Sequence, residues 1–313
     1  MRKQAVIGVV TTALAIGAVG YVTAYDGSGA AESSSSSSVG IRSGGGTGAG
    51  PGQAAAGRLS AVGLTADQRL VTFRVDRPGR TVPLGRVSGL HGDTELVGID
   101  YRVQNNKLYG VGDRGGIYTL REIGARATKV SQLSVPLRGG SFGVDFNPAA
   151  NRLRVISDTG QNLRHNIDDP AGAPAAGTTA ADGTLTNPPV PPATSGATAT
   201  GVTAAAYTNN DLDATTATTL FDLDTVNDQV SVQSPANAGN LAPTGRLGVD
   251  AGAVGAGFDI HSSARSGTNT GYAVLRVGGA QRLHQVNLLN GSVRRTGTFD
   301  AGRPVVDLAL PTR

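Results

Sequence analysis

The chain has 313 residues, a formal net charge of +4, 46 glycines and no cysteine or tryptophan. Missing thiols exclude disulfides, cysteine nucleophiles and thiolate metal sites, and an aromatic content of 4% leaves few flat platforms for stacking on bases or sugars. The basic balance does not describe a nucleic-acid surface: Lys3, Lys107 and Lys129 are the only lysines and the arginines are scattered, where a phosphate-tracking face needs a cluster.

Residues 1–25 open with Met1, Arg2 and Lys3 and continue as an apolar run from Ala5 to Tyr25. A positive end before an apolar segment is the pattern of a signal peptide or of an N-terminal membrane anchor. The run is rich in Gly, Ala and Thr and therefore weakly hydrophobic, which favours cleavage; if retained, it leaves its positive end inside. The expectation is an extracytoplasmic protein, secreted or tethered to the outer face of the cytoplasmic membrane. Residues 26–58 contain an unbroken serine run, Ser33 to Ser38, and Gly44 to Gly46. That composition cannot bury enough apolar surface to offset chain entropy, so it predicts a disordered Gly/Ser-rich linker.

Residues 59–313 read as short apolar runs between Gly, Asn and Asp turns, with no sustained apolar repeat at helical spacing. Val62–Thr65 and Leu70–Phe73 come first. A phrase then recurs as Val97–Tyr101, Phe142–Phe146, Thr203–Tyr207, Gly257–Ile260 and Val305–Leu308, aligning Asp100, Asp145, Ala206, Asp259 and Asp307 at spacings of 45, 61, 53 and 48. Such periods match propeller blades of roughly 40 to 50 residues. The excess in one spacing is Ala171 to Gly201, rich in Pro, Ala, Thr and Gly, which predicts an excursion over the surface between blades.

Each phrase except the last leads into further strands, as Tyr101 leads to Lys107–Val111 and Ile117–Leu120. Only three residues follow Leu310, yet Val62–Thr65 and Leu70–Phe73 match Tyr109–Gly112 and Ile117–Leu120 at a constant offset of 47. The expectation is an all-β, five-bladed propeller of four-stranded antiparallel blades, closed by the C-terminal strand joining the N-terminal strands. Closure removes long open sheet edges.

Here the chain resembles a family. Leu96–Tyr101, Phe142–Pro148, Arg152–Arg164, Thr203–Asn210 and Leu247–Asp250 are similar to the bacterial family labelled domain of unknown function 4394, over about Leu59 to Leu310. The run Ser157–Asn162 is the most specific part. The resemblance implies an exported β-propeller-like domain and transfers no catalytic residue.

Three sets of side chains are candidates for chemistry. Asp100, Asp145, Asp259 and Asp307 sit at equivalent places on inner strands, so they either converge on the axis, where oxygen ligands suit Ca²⁺, or bond neighbouring backbone groups and fix blade register. Ala206 breaks that ring. Arg152, Arg154, Asp158, Gln161, Asn162 and Arg164 form the densest polar set; Arg152 and Arg154 lie two apart and share a strand face, where guanidinium forks suit an anionic or carbonyl-rich ligand. Asp211, Asp213, Asp222, Asp224 and Asp228 lack the rhythm of a calcium loop and read as turn and strand-edge acids.

No catalytic set is evident. The only histidines are His91, His165, His261 and His284, no Gly-x-Ser-x-Gly elbow occurs, and the only glutamates are Glu32, Glu95 and Glu122. The reading is a monomeric extracytoplasmic propeller that binds a small molecule, a cell-wall component or a protein, with no nucleic acid and no cofactor, Ca²⁺ at the axial acids being the one candidate. The alternative is an Asp-based hydrolase or lactonase-like enzyme using those carboxylates, with or without a divalent cation.

Overall fold

A computed structural model describes residues 59–213 and 215–312; the expected signal segment and linker lie outside the described residues. The turns behave as their residues dictate. Asn106 and Asn151 close equivalent hairpins in the left-handed conformation, with φ of 57° and 54°, which Asn tolerates better than most residues.

The strands form five four-stranded antiparallel sheets. Blade 1 orders β20 (Val305–Ala309), β1 (Ser60–Thr65), β2 (Arg69–Arg74) and β3 (Arg77–Arg86). Blade 2 holds β4 (Leu96–Arg102), β5 (Lys107–Gly112), β6 (Gly116–Arg121) and β7 (Arg126–Gln132). Blade 3 holds β8 (Phe142–Asn147), β9 (Arg152–Ser157), β10 (Asn162–His165) and β11 (Thr179–Ala181). Blade 4 holds β12 (Val202–Tyr207), β13 (Leu220–Asp224), β14 (Gln229–Gln233) and β15 (Leu241–Arg246). Blade 5 holds β16 (Gly257–Ser263), β17 (Thr268–Val277), β18 (Ala280–Val286) and β19 (Val293–Thr298). One short 3-10 turn, Ala236–Ala238, is the sole helical element among the described residues.

The seam falls where the sequence places it. β20 pairs with β1, Gly63 opposite Leu308 and Leu64 opposite Asp307, so the last strand is the inner strand of the first blade. The inner strands β20, β4, β8, β12 and β16 surround the axis, each touching the next. Both faces of a blade meet a neighbouring blade, which explains the near-continuous burial along strands such as β5.

The apolar core is correspondingly split into five clusters, one per blade interface. Leu64 and Leu70 pack on Ile99 and Tyr118 between blades 1 and 2, and Tyr109 and Val111 on Phe146 and Leu153 between blades 2 and 3. Ile156 and Leu185 meet Tyr207 and Leu220 between blades 3 and 4, and Phe221 and Leu223 meet Phe258 and Leu275 between blades 4 and 5. Phe73 closes the ring against blade 5, its ring edge-on to Phe299 at 5.0 Å between centroids.

The 171–201 segment corrects its expectation. It is not purely a surface excursion: Thr179–Ala181 is the outer strand of blade 3, pairing with β10. Leu185 and Ala199 are fully buried in the interface with blade 4, and Thr186 bridges Asn240. Pro-rich composition marks the segment as irregular but does not reveal which of its apolar residues the adjacent blade will cover.

Candidate functional site

The recurring phrase owes its residues to the crowded axis. A Cβ added at Gly143 would lie 2.5 Å from the Ala205 backbone nitrogen, and one at Gly257 would lie 2.5 Å from Asp307 Cα. Glycine lets neighbouring inner strands approach backbone to backbone. The aspartate two residues on then ties the strands together. Asp100 accepts from the Phe146 N–H at 2.8 Å, Asp145 from Tyr207 at 3.3 Å, Asp259 from Leu310 at 2.5 Å and Asp307 from Ile99 at 2.8 Å. Each carboxylate thus reaches the next blade, from 5 to 1, 1 to 2, 2 to 3 and 3 to 4. Blade 4 offers Ala206 at this position, which has no carboxylate with which to reach blade 5.

The two alternatives posed for these aspartates are not exclusive. One oxygen from each of Asp100, Asp145 and Asp259 falls within 4.8 Å of the others, and all three residues are buried. Burial and the mutual repulsion of acids hold Asp100 and Asp145 well above the usual carboxylate range, and burial pushes Asp259 up to about 7. These groups favour protons over charge. A cation would need them ionised together, while their oxygens already accept backbone N–H groups.

Asp307, half-buried, also lines a cavity of about 690 Å³ at the end of the ring where the inner strands begin. Its wall comes from blade 1 (Gln68, Pro304), blade 2 (Glu95, Val97), the entry to blade 3 (Ser141, Phe142) and blade 5 (Arg276, Gln281). Gln68 fixes the rim by bonding both the N–H and the C=O of Leu96, at 2.8 and 3.1 Å. Gln281 donates to the Val305 carbonyl at 3.2 Å, while its Oε1 is buried with no partner among the described residues. Nothing in the local sequence marks Gln68, Gln281 or Arg276: Arg276 and Gln281 face each other across the β17–β18 hairpin, and only the ring brings them to Gln68 in the β1–β2 turn.

The polar set of blade 3 is divided by its own strands. Arg152 begins β9 and Asp158 follows its end, six residues and about 20 Å away at ~3.3 Å per residue. Asp158 and Gln161 therefore lie towards the axial cavity, where Asp158 accepts from the Gly140 N–H at 3.0 Å and Gln161 from Arg138 at 2.9 Å. They brace a loop. Arg152, Arg154 and Arg164 instead line a pocket of about 290 Å³ at the opposite end, with Asn147, Tyr207 and Asn237. Asn162 stands behind them, accepting from Arg154 at 2.7 Å.

Asp222 departs from its reading as a strand-edge acid. It is 1% exposed between blades 3 and 4, neither carboxyl oxygen has a partner among the described residues, and burial pushes it up to about 8 against the pull of Arg154. The other four do serve turns and loops, as when Asp224 accepts from Asn227 and Asp228 from Ala251, both at 2.8 Å. Among the histidines, His165 is buried between Ser131 and Thr179 and held down to about 4 by burial, so it is neutral and structural.

A third concavity, about 790 Å³, runs between blades 4 and 5 past Thr208, Phe221, Leu288 and Arg294. It draws on two blades, whereas the axial cavity draws on four.

The family model described as Domain of unknown function (DUF4394) matches residues 69–309. The chain belongs to that family. No curated protein matches this DUF4394 chain. Solved structures match it in part. An auxiliary nutrient binding protein from Bacteroides thetaiotaomicron VPI-5482 is 10% identical, over 82% of this chain and 62% of that one, at a TM-score of 0.43. A protein from Lactobacillus plantarum is 15% identical, over 77% and 66%, at 0.40. A protein of unknown function from Bacteroides thetaiotaomicron VPI-5482 is 14% identical, over 76% and 57%, at 0.40. The DUF4394 chain spans less than two thirds of the length of each. Among the described residues, no helix is long and apolar enough to cross a membrane.

Proposed function

We propose that this protein is a non-catalytic, exported binding module that takes a small ligand in the axial cavity. The observation that carries the reading is the cavity itself: about 690 Å³, drawn from four blades, with apolar walls and a few convergent polar groups including Asp307, Arg276 and Gln281. Pockets of this size and make-up are the usual seats of small ligands. The axial carboxylates are better explained as fasteners than as a reacting pair, because each spends an oxygen on the N–H of the next blade. Export rests on Met1–Lys3 and the apolar run to Tyr25.

Ala301 is exposed on the cavity rim, so a tryptophan there would fill the mouth without entering the core. A thermal-shift screen of the purified protein against monosaccharides, amino acids and short peptides should give hits that Ala301→Trp abolishes. Hits unchanged by Ala301→Trp, or no hit at all, would sink the reading. Recovery of the protein from the cytoplasmic fraction of its host would remove the export half.

A further inference from the structure

The axial cavity leaves the arginine pocket unexplained. It lies at the other end of the ring, between blades 3 and 4, and it gathers three guanidinium groups in about 290 Å³, roughly ten waters' worth of space at ~30 Å³ each. Its wall contains Arg152, Arg154 and Arg164 together with Asn147, Asn237 and the Tyr207 phenol, and no aspartate or glutamate. The acids stand behind the wall. Asp182 takes Arg154 at 2.7 Å and Arg164 at 3.0 Å, and Asp169 takes Arg152 at 3.0 Å. Three cations against two carboxylates leave a local charge of +1, with the positive groups on the inside.

The arginines are also held in place before any ligand arrives. Arg154 is 2% exposed, its guanidinium bonded to Tyr207, Asn162, Asp182 and Asn237. Arg152 is 5% exposed and shares the Ala173 carbonyl with Arg164, at 3.1 and 2.7 Å. A guanidinium carries five N–H groups. Nη2 of Arg152 packs against Gly172, whereas Arg164 donates one bond each from Nη1 and Nη2, leaving a hydrogen on each. Salt bridges made only to stabilise the fold have no need of spare donors around a void. Planar forks with spare N–H groups match the paired oxygens of carboxylate and phosphate.

We propose that this pocket is a binding site for a small oxyanion, a carboxylate- or phosphate-bearing molecule of about monosaccharide size. The buried Arg154 and Arg152 supply fixed charge, and the more exposed Arg164, with 22% of its side chain accessible, forms the side through which the anion enters. The site is independent of the axial cavity and stands or falls without it.

Isothermal titration of the full chain with sodium phosphate, with D-glucuronate and with D-glucose, at ionic strength held constant with sodium chloride, tests the proposal. Binding of phosphate, glucuronate or both at one site, with glucose silent, supports it. Phosphate alone assigns a phosphorylated ligand and glucuronate alone a carboxylated sugar. Arg164→Gln should weaken that binding at least ten-fold and Arg276→Gln, in the axial cavity, should leave it unchanged. Silence of both anions, or binding that survives Arg164→Gln or is lost in Arg276→Gln, overturns it. Should Arg164→Gln fail to fold by circular dichroism, Arg164→Lys keeps the charge and loses the fork; it should still weaken binding several-fold, and unaltered affinity there counts against the site.

Discussion

Replacing Asp145 with Asn tests the account of the axial carboxyls. Asp145 is 4% exposed, faces Asp100, Asp259 and Asp307, and makes the longest inter-blade bond of the four, 3.3 Å from the Tyr207 N–H to one oxygen. Asn can keep that acceptor while removing the titrating group. The sign follows from linkage. A carboxyl whose folded pKa is raised holds its proton where the unfolded chain has released it, so its contribution is complete below the unfolded value and is lost as pH rises through the folded one. For Asp259, from 3.8 to about 7 at about 1.4 kcal/mol per pH unit, the loss is about 4 kcal/mol. Asp145 is raised well above 3.8 for the same reasons, burial first and then the neighbouring acids.

Urea unfolding of wild type and Asp145→Asn at intervals from pH 5 to pH 8, with chelator present, measures the difference directly. It also cancels the neutral histidines His165, His261 and His284, whose lowered pKa values act in the opposite sense at the acid end. At pH 5, just over one unit above the unfolded value of 3.8, wild type has already lost about 1.4 kcal/mol or slightly more, which offsets the roughly 1 kcal/mol worth of a perturbed hydrogen bond, so the two should lie within about 2 kcal/mol. The variant should gain on wild type by about 1 to 4 kcal/mol by pH 8. A difference that is flat with pH, or a variant that loses ground as pH rises, would refute buried protonated carboxyls. A recovery of wild type at pH 8 on adding Ca²⁺, absent in Asp145→Asn, would instead identify the three acids as cation ligands.

Deleting Leu59 to Val87 removes β1 to β3 and strips β20 of its blade, uncovering Phe73's partners Phe299 and Val305. Circular dichroism and a calorimetric scan should show no cooperative transition, and a soluble, cooperatively melting deletion would disprove the shared blade. Gly143→Ala sets a methyl group against backbone 2.5 Å away, where no side-chain rotation can relieve it. The expected cost is about 1 to 3 kcal/mol in denaturant unfolding, and a neutral result would mean the inner strands are less tightly packed than described.

Much of the fold is legible in the chain because a ring of blades imposes the same local demands five times. Gly143 and Gly257 recur because inner strands crowd the axis, and Asp100, Asp145, Asp259 and Asp307 recur because four of the five inner strands fasten to the next through that position. Even the seam is visible, since β1 and β2 repeat β5 and β6 residue for residue in spacing. The sites were less legible. Arg152 and Arg154 share a face by strand alternation and meet Arg164, opposite Arg154 on β10, in one pocket, but Asp158 and Gln161, close in sequence, leave for the other end of the blade. Asp222 reads as a turn or strand-edge acid until blade 3 covers it.

Taken alone, the sequence determines the strand period, the turn positions, the number of blades and their closure, because these follow from local alternation and from a repeat that can be aligned. Only the tertiary structure decides that three axial carboxyls lie within 4.8 Å of one another, that Gln68, Gln281 and Arg276 surround one cavity, and that Asp182 serves two arginines from behind a pocket wall. Periodicity fixes which side of a strand a residue occupies. What meets it there depends on blades tens of residues away, whose distance is set by close packing around the axis and is not written in any local pattern.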